Sequence, residues 1–182
     1  MKTINRKEQG AFMIIRQERT ADYETVYTVI KKAFDSAEHA DGNESELVNA
    51  LRKGKGFIPS LSLVAEIDEK IVGHILFTKA TVGKTPVLAL APLSVLPEYQ
   101  KQGIGTALIK EGHRIARELG YGFSVVLGSA NYYPRVGYLP ADTFGIYPPF
   151  AVPRENFMAY KFNENAPDVQ GIIQYAEEFG IG

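Results

Sequence analysis

Two stretches of this sequence carry residue types and spacings able to do chemistry. The first is Gln100-Lys101-Gln102-Gly103-Ile104-Gly105, between the apolar run Val87 to Val95 and a run of helical periodicity. Two glycines let the backbone approach a ligand closely and adopt unusual dihedrals. A loop entering a helix N-terminus presents unpaired N–H groups beside the positive end of the helix dipole, an arrangement that suits phosphate. The N–H groups of residues 101 to 106 can encircle a pyrophosphate. The plainer alternative is a close helix–sheet contact that needs small residues. A dinucleotide fingerprint requires a small residue where Leu108 stands, which disfavours a nucleotide-dependent redox enzyme. The second stretch is Tyr132-Tyr133-Pro134-Arg135-Val136-Gly137-Tyr138, a short helical turn with a tight exit.

Other chemistries find little support. The chain has no cysteine and three scattered histidines, so no metal-ligand spacing and no thiol nucleophile is present. Ser94 lacks the glycines of a nucleophile elbow. Lys53-Gly54-Lys55-Gly56 lacks the Gly-Lys-Ser/Thr ending of a phosphate loop and reads as a solvated loop. A net charge of −1 gives no bulk attraction to nucleic acid or to an anionic membrane. No segment reaches the length of a membrane span, and the polar start lacks a signal-peptide core. A cytoplasmic location fits these features.

The elements that must position the two stretches follow from periodicity. Ala11 to Arg16 reads as a strand. Thr20 is placed to cap a helix burying Val26, Ile30, Ala33 and Phe34. Asn43 with Glu46 suggests a capping box on a second helix carrying Leu47, Val48 and Leu51. Leu61 to Ile67 and Ile71 to Ala80 are two strands of a hairpin turning at Asp68-Glu69-Lys70. The strand Val87 to Val95 contains Pro92, which suggests distorted pairing. Ile104, Ala107, Leu108, Ile115 and Leu119 mark one face of the next helix, with His113 expected at its surface. Strands Gly122 to Leu127 and Asn156 to Phe162 follow, and Val169 to Phe179 is a terminal helix or an edge segment. The 182 residues thus form one α/β (α+β) domain, a mixed sheet flanked by helices. Its divisions are a polar extension over residues 1–12, the domain over 13–165, and a C-terminal segment over 166–182 packed on it.

Gln-x-x-Gly-x-Gly after an apolar strand, followed at the right distance by the Tyr-Tyr-x-x-x-Gly-Tyr stretch, resembles the paired signatures of the GNAT superfamily of N-acetyltransferases. Tyr138 stands where that family more commonly has Phe. The segments Gly73 to Phe77 and Val152 to Met158 further resemble a bacterial branch of predicted acetyltransferases. The resemblance covers residues 11 to 162 and implies a mostly antiparallel sheet whose Val87–Val95 and Gly122–Leu127 strands splay apart. The gap would admit the pantetheine arm of acetyl-CoA against Leu93, Ser94 and Val95. A strand N–H there would polarise the thioester carbonyl. Gln100, Lys101, Gln102, Gly103, Ile104, Gly105 and Thr106 would hold the pyrophosphate.

Tyr133 matches the family's general acid, which protonates the leaving thiolate, and would also touch the cofactor arm. Its alternative is a packing tyrosine. Tyr132 would be a wall residue. Asn131 would contact the cofactor or serve as an N-cap. A base for the incoming amine could be Glu66, His74, Glu38 or His39, of which Glu66 is taken forward, or water could serve. The implied reaction transfers acetyl directly to a primary amine of a small molecule or peptide. The competing expectation is a catalytically idle acyl-CoA sensor. No nucleic acid, membrane or metal is expected, and a homodimer is compatible with the reading.

Overall fold

The computed structural model describes residues 2–5, 12–35, 37 and 40–181. The base candidates Glu38 and His39 lie outside the described residues, as do parts of the expected N-terminal extension and of the loop between the first two helices.

The sheet grows from a central hairpin, β3 (Phe57–Ile67) and β4 (Lys70–Val82). Its two-residue turn, Asp68-Glu69, holds both residues at positive φ (48° and 64°), which matches the twist of the flanking strands. β2 (Phe12–Gln17) pairs antiparallel with β3, and β1 (Lys2–Asn5) pairs antiparallel with β2. Residues 2–5, expected within a polar extension, are therefore a sheet strand. On the other side of β4 lies β5 (Thr85–Val95), followed by β6 (Phe123–Leu127) in parallel and β9 (Phe157–Lys161) antiparallel to β6. The two-residue strand β7 (Leu139–Pro140) pairs with β9. The C-terminal segment resolves as an edge strand, β10 (Gly171–Gln174), which pairs with β4 and with β8 (Ile146–Tyr147). That pairing ties residues 166–181 to the domain.

Among the described residues, three α-helices cover this sheet. α1 (Tyr23–Phe34) and α2 (Glu44–Lys53) lie on one face, and α3 (Ile104–Glu118) lies on the other. No helix among the described residues is long and apolar enough to cross a membrane. The expected caps are made differently. A 3-10 turn over Thr20–Asp22 precedes α1, and Asp22 accepts the Arg19 N–H at 2.7 Å. Asn43 precedes α2 without a side-chain cap, and Glu46 is held by the Tyr27 hydroxyl instead of reaching back to Asn43. Asp22 also accepts from Arg16 of β2 at 2.7 Å, so both carboxylates have a partner in another element, which local spacing does not report.

α3 meets the sheet through two glycines. A Cβ on Gly112 would lie 2.3 Å from Phe77 Cε2, and one on Gly73 would lie 3.1 Å from Leu108 Cδ1. Both are placed where the helix axis crosses β4, so close approach, not flexibility, explains them. His113, expected at the surface, is buried. Its Nε2 lies 2.9 Å from the Tyr138 hydroxyl, which lies 2.9 Å from Ser124 Oγ. The apolar stripe of α3 runs through Ile104, Leu108, Ile109 and Ala116, with Leu119 exposed at its end.

Candidate functional site

The site begins where two strands part. β5 and β6 are in register only at Leu88 with Ser124 and Ala89 with Val125. Beyond Ala89, β5 keeps β4 on one side and has no paired strand on the other among the described residues. The register of β4 slips between Ile75 and Phe77, so that Ala91 and Pro92 oppose one residue, Leu76. Proline donates no ladder bond and is accommodated at such a bulge. The strand is thereby bent at the point where it leaves β6.

Alternation then fixes which backbone groups face the gap. The Leu96 N–H bonds to the Val72 carbonyl at 2.9 Å, which makes 96 and 72 a hydrogen-bonded pair. Two residues back, Ser94 and His74 are the next such pair, and Leu93 and Val95 fall between. The backbone groups of Leu93 and Val95 therefore point away from β4, into the gap. Ser94, expected with them as a binding position, instead turns its backbone toward β4. Its side chain is buried on the α1–α2 face.

The loop after β5 is shaped by its own amides. Gln100 Nε2 donates to the Val95 carbonyl at 3.0 Å, and Gln102 Nε2 donates to the Glu98 carbonyl at 3.2 Å. Lys101 and Gly103 take left-handed φ values of 60° and 82°. The first i→i−4 bond of α3 runs from the Ala107 N–H to the Gly103 carbonyl. The N–H groups of residues 101 to 106 thus have no acceptor among the described residues. Six consecutive free donors at a helix N-terminus form the anion cradle that the glycine pattern suggests.

The two sequence stretches meet physically. Tyr132 follows β6, and its hydroxyl lies 3.5 Å from Thr106 Oγ1 at the start of α3. A Cβ on Gly105 would come within 2.7 Å of that hydroxyl and 3.5 Å of Leu93 Cδ2. Gly105 is therefore small because Tyr132 reaches over it. The close helix–sheet contact that competed for this glycine pair is made elsewhere, by Gly73 and Gly112.

Tyr133 lies in a 3-10 turn (Tyr133–Val136) that ends at left-handed Gly137. Its ring packs edge-on against Tyr132 and Tyr138, with centroids 5.1 and 5.5 Å away. Gly128 makes room for it, since a Cβ there would lie 2.4 Å from Tyr133 Cε2. Burial, with Tyr132 adding, pushes the Tyr133 phenol well above its ordinary value, so it keeps its proton at neutral pH. Its hydroxyl has no hydrogen-bond partner among the described residues and is not fully enclosed. Asn131 is exposed and its N–H donates to Ser129 Oγ at 3.2 Å; Tyr132, not Asn131, stands at the cap position of the turn that follows.

The base candidates do not gather here. Glu66 is bound to Arg16 at 2.9 Å on β3, two strands, or about 10 Å, from β5. His74 is wholly buried, with its Nε2 3.1 Å from Ser62 Oγ. No cluster of three or more His, Asp or Glu residues able to hold a metal occurs among the described residues.

Comparison with known proteins agrees with this fold. A family model described as acetyltransferase (GNAT) family matches residues 22–138. The uncharacterized N-acetyltransferase YjhQ of Escherichia coli K12 is 43% identical over 118 residues, which cover 62% of this chain and 65% of that protein. The chain therefore spans just under two thirds of that relative. A GNAT family acetyltransferase from Brucella melitensis, solved with acetyl-CoA, is 35% identical with a TM-score of 0.76, covering 92% of this chain and 97% of that one. YhbS from Escherichia coli, solved with CoA, is 26% identical with a TM-score of 0.84, covering 97% of this chain and 96% of that one.

Proposed function

This chain belongs to the GNAT acetyltransferase family, and from that premise we propose that it transfers the acetyl group of acetyl-CoA to a primary amine of a small molecule or peptide. The observation that carries the proposal is the row of six free N–H groups at residues 101 to 106, opening beside the parted edge of β5. The cradle fits a pyrophosphate, and the gap fits the arm that follows it. The complexes of the Brucella protein with acetyl-CoA and of YhbS with CoA support the same ligand here.

Each residue then has a task. Backbone N–H groups from Lys101 to Thr106 hold the diphosphate, helped by the dipole of α3. The Leu93 backbone groups pair with an amide of the pantetheine arm. The Val95 N–H lies where negative charge grows on the thioester oxygen and stabilises it. The acceptor nitrogen attacks the carbonyl carbon, the C–S bond breaks, and Tyr133 gives its proton to the departing sulfur. Tyr133 suits this role because its environment keeps it protonated. Glu66 is assigned no part in deprotonating the amine, since Arg16 occupies its carboxylate. Water serves as the proton acceptor.

The test is thiol release from acetyl-CoA with a panel of amines. Wild type is expected to turn over at least one amine. Tyr133→Phe is expected to lower kcat about a hundredfold, within the usual range for general acid catalysis, while CoA affinity stays within about twofold. Unchanged turnover in the variant removes Tyr133 from the role. CoA binding without transfer to any amine would instead make the protein an acyl-CoA sensor.

A further inference from the structure

A buried polar chain lies behind the catalytic strand and has no part in the steps above. Arg52 of α2 grips the Glu18 carboxylate on both oxygens, with Nη2 on Oε1 and Nε 3.2 Å from Oε2. Ser62 Oγ donates to Glu18 Oε2 at 2.7 Å. That commits the Ser62 proton, so at its 3.1 Å contact with His74 Nε2 the Ser62 oxygen accepts. His74 must then carry its proton on Nε2, leaving Nδ1 as a bare lone pair. Burial and the nearby Arg52 charge push His74 down to about 3, so the ring is neutral at working pH.

His74 Nδ1 is fully buried and has no partner among the described residues. The same is true of Ser94 Oγ. These two residues are cross-strand partners on β4 and β5, side by side on the α1–α2 face. One offers a lone pair and the other a proton. Ser94 sits between Leu93 and Val95, the two residues whose backbone faces the gap.

We propose that Ser94, turned about its Cα–Cβ bond from the rotamer that leaves its hydroxyl without a partner, donates to His74 Nδ1, so that Glu18, Ser62, His74 and Ser94 form one directed hydrogen-bond chain that fixes the gap-facing edge of β5. Every donor in the chain points toward the carboxylate that Arg52 balances, and such alignment strengthens each bond. Ser94 and His74 are positioning residues: they touch neither thioester nor amine, and act by holding the Val95 N–H where charge develops. A displacement of that N–H by a fraction of an ångström weakens transition-state stabilisation more than ground-state binding. This inference rests on the proposed acetyl transfer for its kinetic part only.

Two measurements test it. Histidine-selective 15N NMR of the wild-type protein should show His74 neutral and protonated on Nε2 from pH 5 to 8. Its Nδ1 resonance should move in Ser94→Ala. A proton on Nδ1, or a resonance indifferent to Ser94→Ala, overturns the proposal whether or not the protein is an enzyme. In the kinetic arm, Ser94→Ala should lower kcat about tenfold with KM for acetyl-CoA within about twofold. The double variant Ser94→Ala/His74→Leu removes both orphaned groups and should recover thermal stability without recovering kcat. Recovery of kcat together with stability would reduce the pair to a structural role and overturn the proposal. A wild type that binds CoA yet acetylates no amine sinks the proposed function and leaves the NMR arm to decide this one.

Discussion

At the scale of single residues, the site depends on backbone conformations that few side chains tolerate. Gly103 sits at φ 82° immediately before α3. An L-residue there carries a steric cost of about 1–2 kcal/mol. Gly103→Ala should therefore lower stability by about 1 kcal/mol and weaken CoA binding at least tenfold, because the strain is relieved by turning the cradle's N–H groups away. Isothermal titration with CoA, beside urea denaturation, separates the two effects. Equal CoA affinity in the variant would show that the cradle does not need this geometry. The Tyr133 and Tyr132 pair shows a division that residue type alone does not give. One ring is enclosed by Gly128 and Tyr138, while the other reaches out to Thr106.

At the scale of elements, α3 is the piece that connects cradle to core. Its N-terminus presents free donors, and its middle is clamped to β4 through Gly112 and Phe77. Phe77 is completely buried and cannot swing aside. Gly112→Ala should push the helix off the sheet and destabilise the protein by about 1–3 kcal/mol, the usual penalty for overpacking. Because the cradle moves with its helix, CoA affinity should fall as well, although residue 112 is two turns from the loop. Urea denaturation midpoints and CoA titration check this. A variant as stable as wild type would mean that α3 slides without cost. The parted strands are the other decisive element. The register of β5 on β4 slips at Ala91 and Pro92, β5 pairs with β6 only at Leu88 and Ala89, and the gap left beyond them is where the proposed cofactor arm would lie.

At the scale of the whole molecule, buried titratable groups set the pH range of the fold. Burial pushes His74 and His113 down to about 3, from an ordinary value near 6.5. A group whose folded value is depressed stabilises the fold above its unfolded value and loses that contribution as pH falls. Melting temperature should thus be level near neutrality and fall steadily from about pH 6.5 toward pH 3. Tyr133 and Tyr138 shift the other way through burial, so their contribution holds below about pH 10 and is lost above it. Calorimetric scans across pH 3 to 11 read both limbs. A melting temperature unchanged down to pH 4 would contradict the buried neutral histidines. CoA at a hundredfold its dissociation constant should add about 2.7 kcal/mol, which for a chain of this size raises the midpoint by about 5–10 °C.

The donor-rich turn and the uneven strand of the candidate site were legible in the sequence because they reside in backbone and spacing. Two glycines before a helical stripe specify a donor-rich turn wherever the rest of the chain lies, and Pro92 marks a strand that cannot pair evenly. The hairpin over Asp68-Glu69 and the order of the main strands follow from alternation in the same way. Partnerships between distant residues were not legible. Spacing placed Glu46 in a cap and His113 at the surface, whereas tertiary contact gave Glu46 to Tyr27 and His113 to Tyr138. The first stretch looked complete in itself, yet Gly105 is small because Tyr132 arrives from the far side of the gap. Periodicity reports which face of an element is apolar. It does not report which polar side chain crosses from another element to meet it, and that crossing depends on how the strands and helices are stacked.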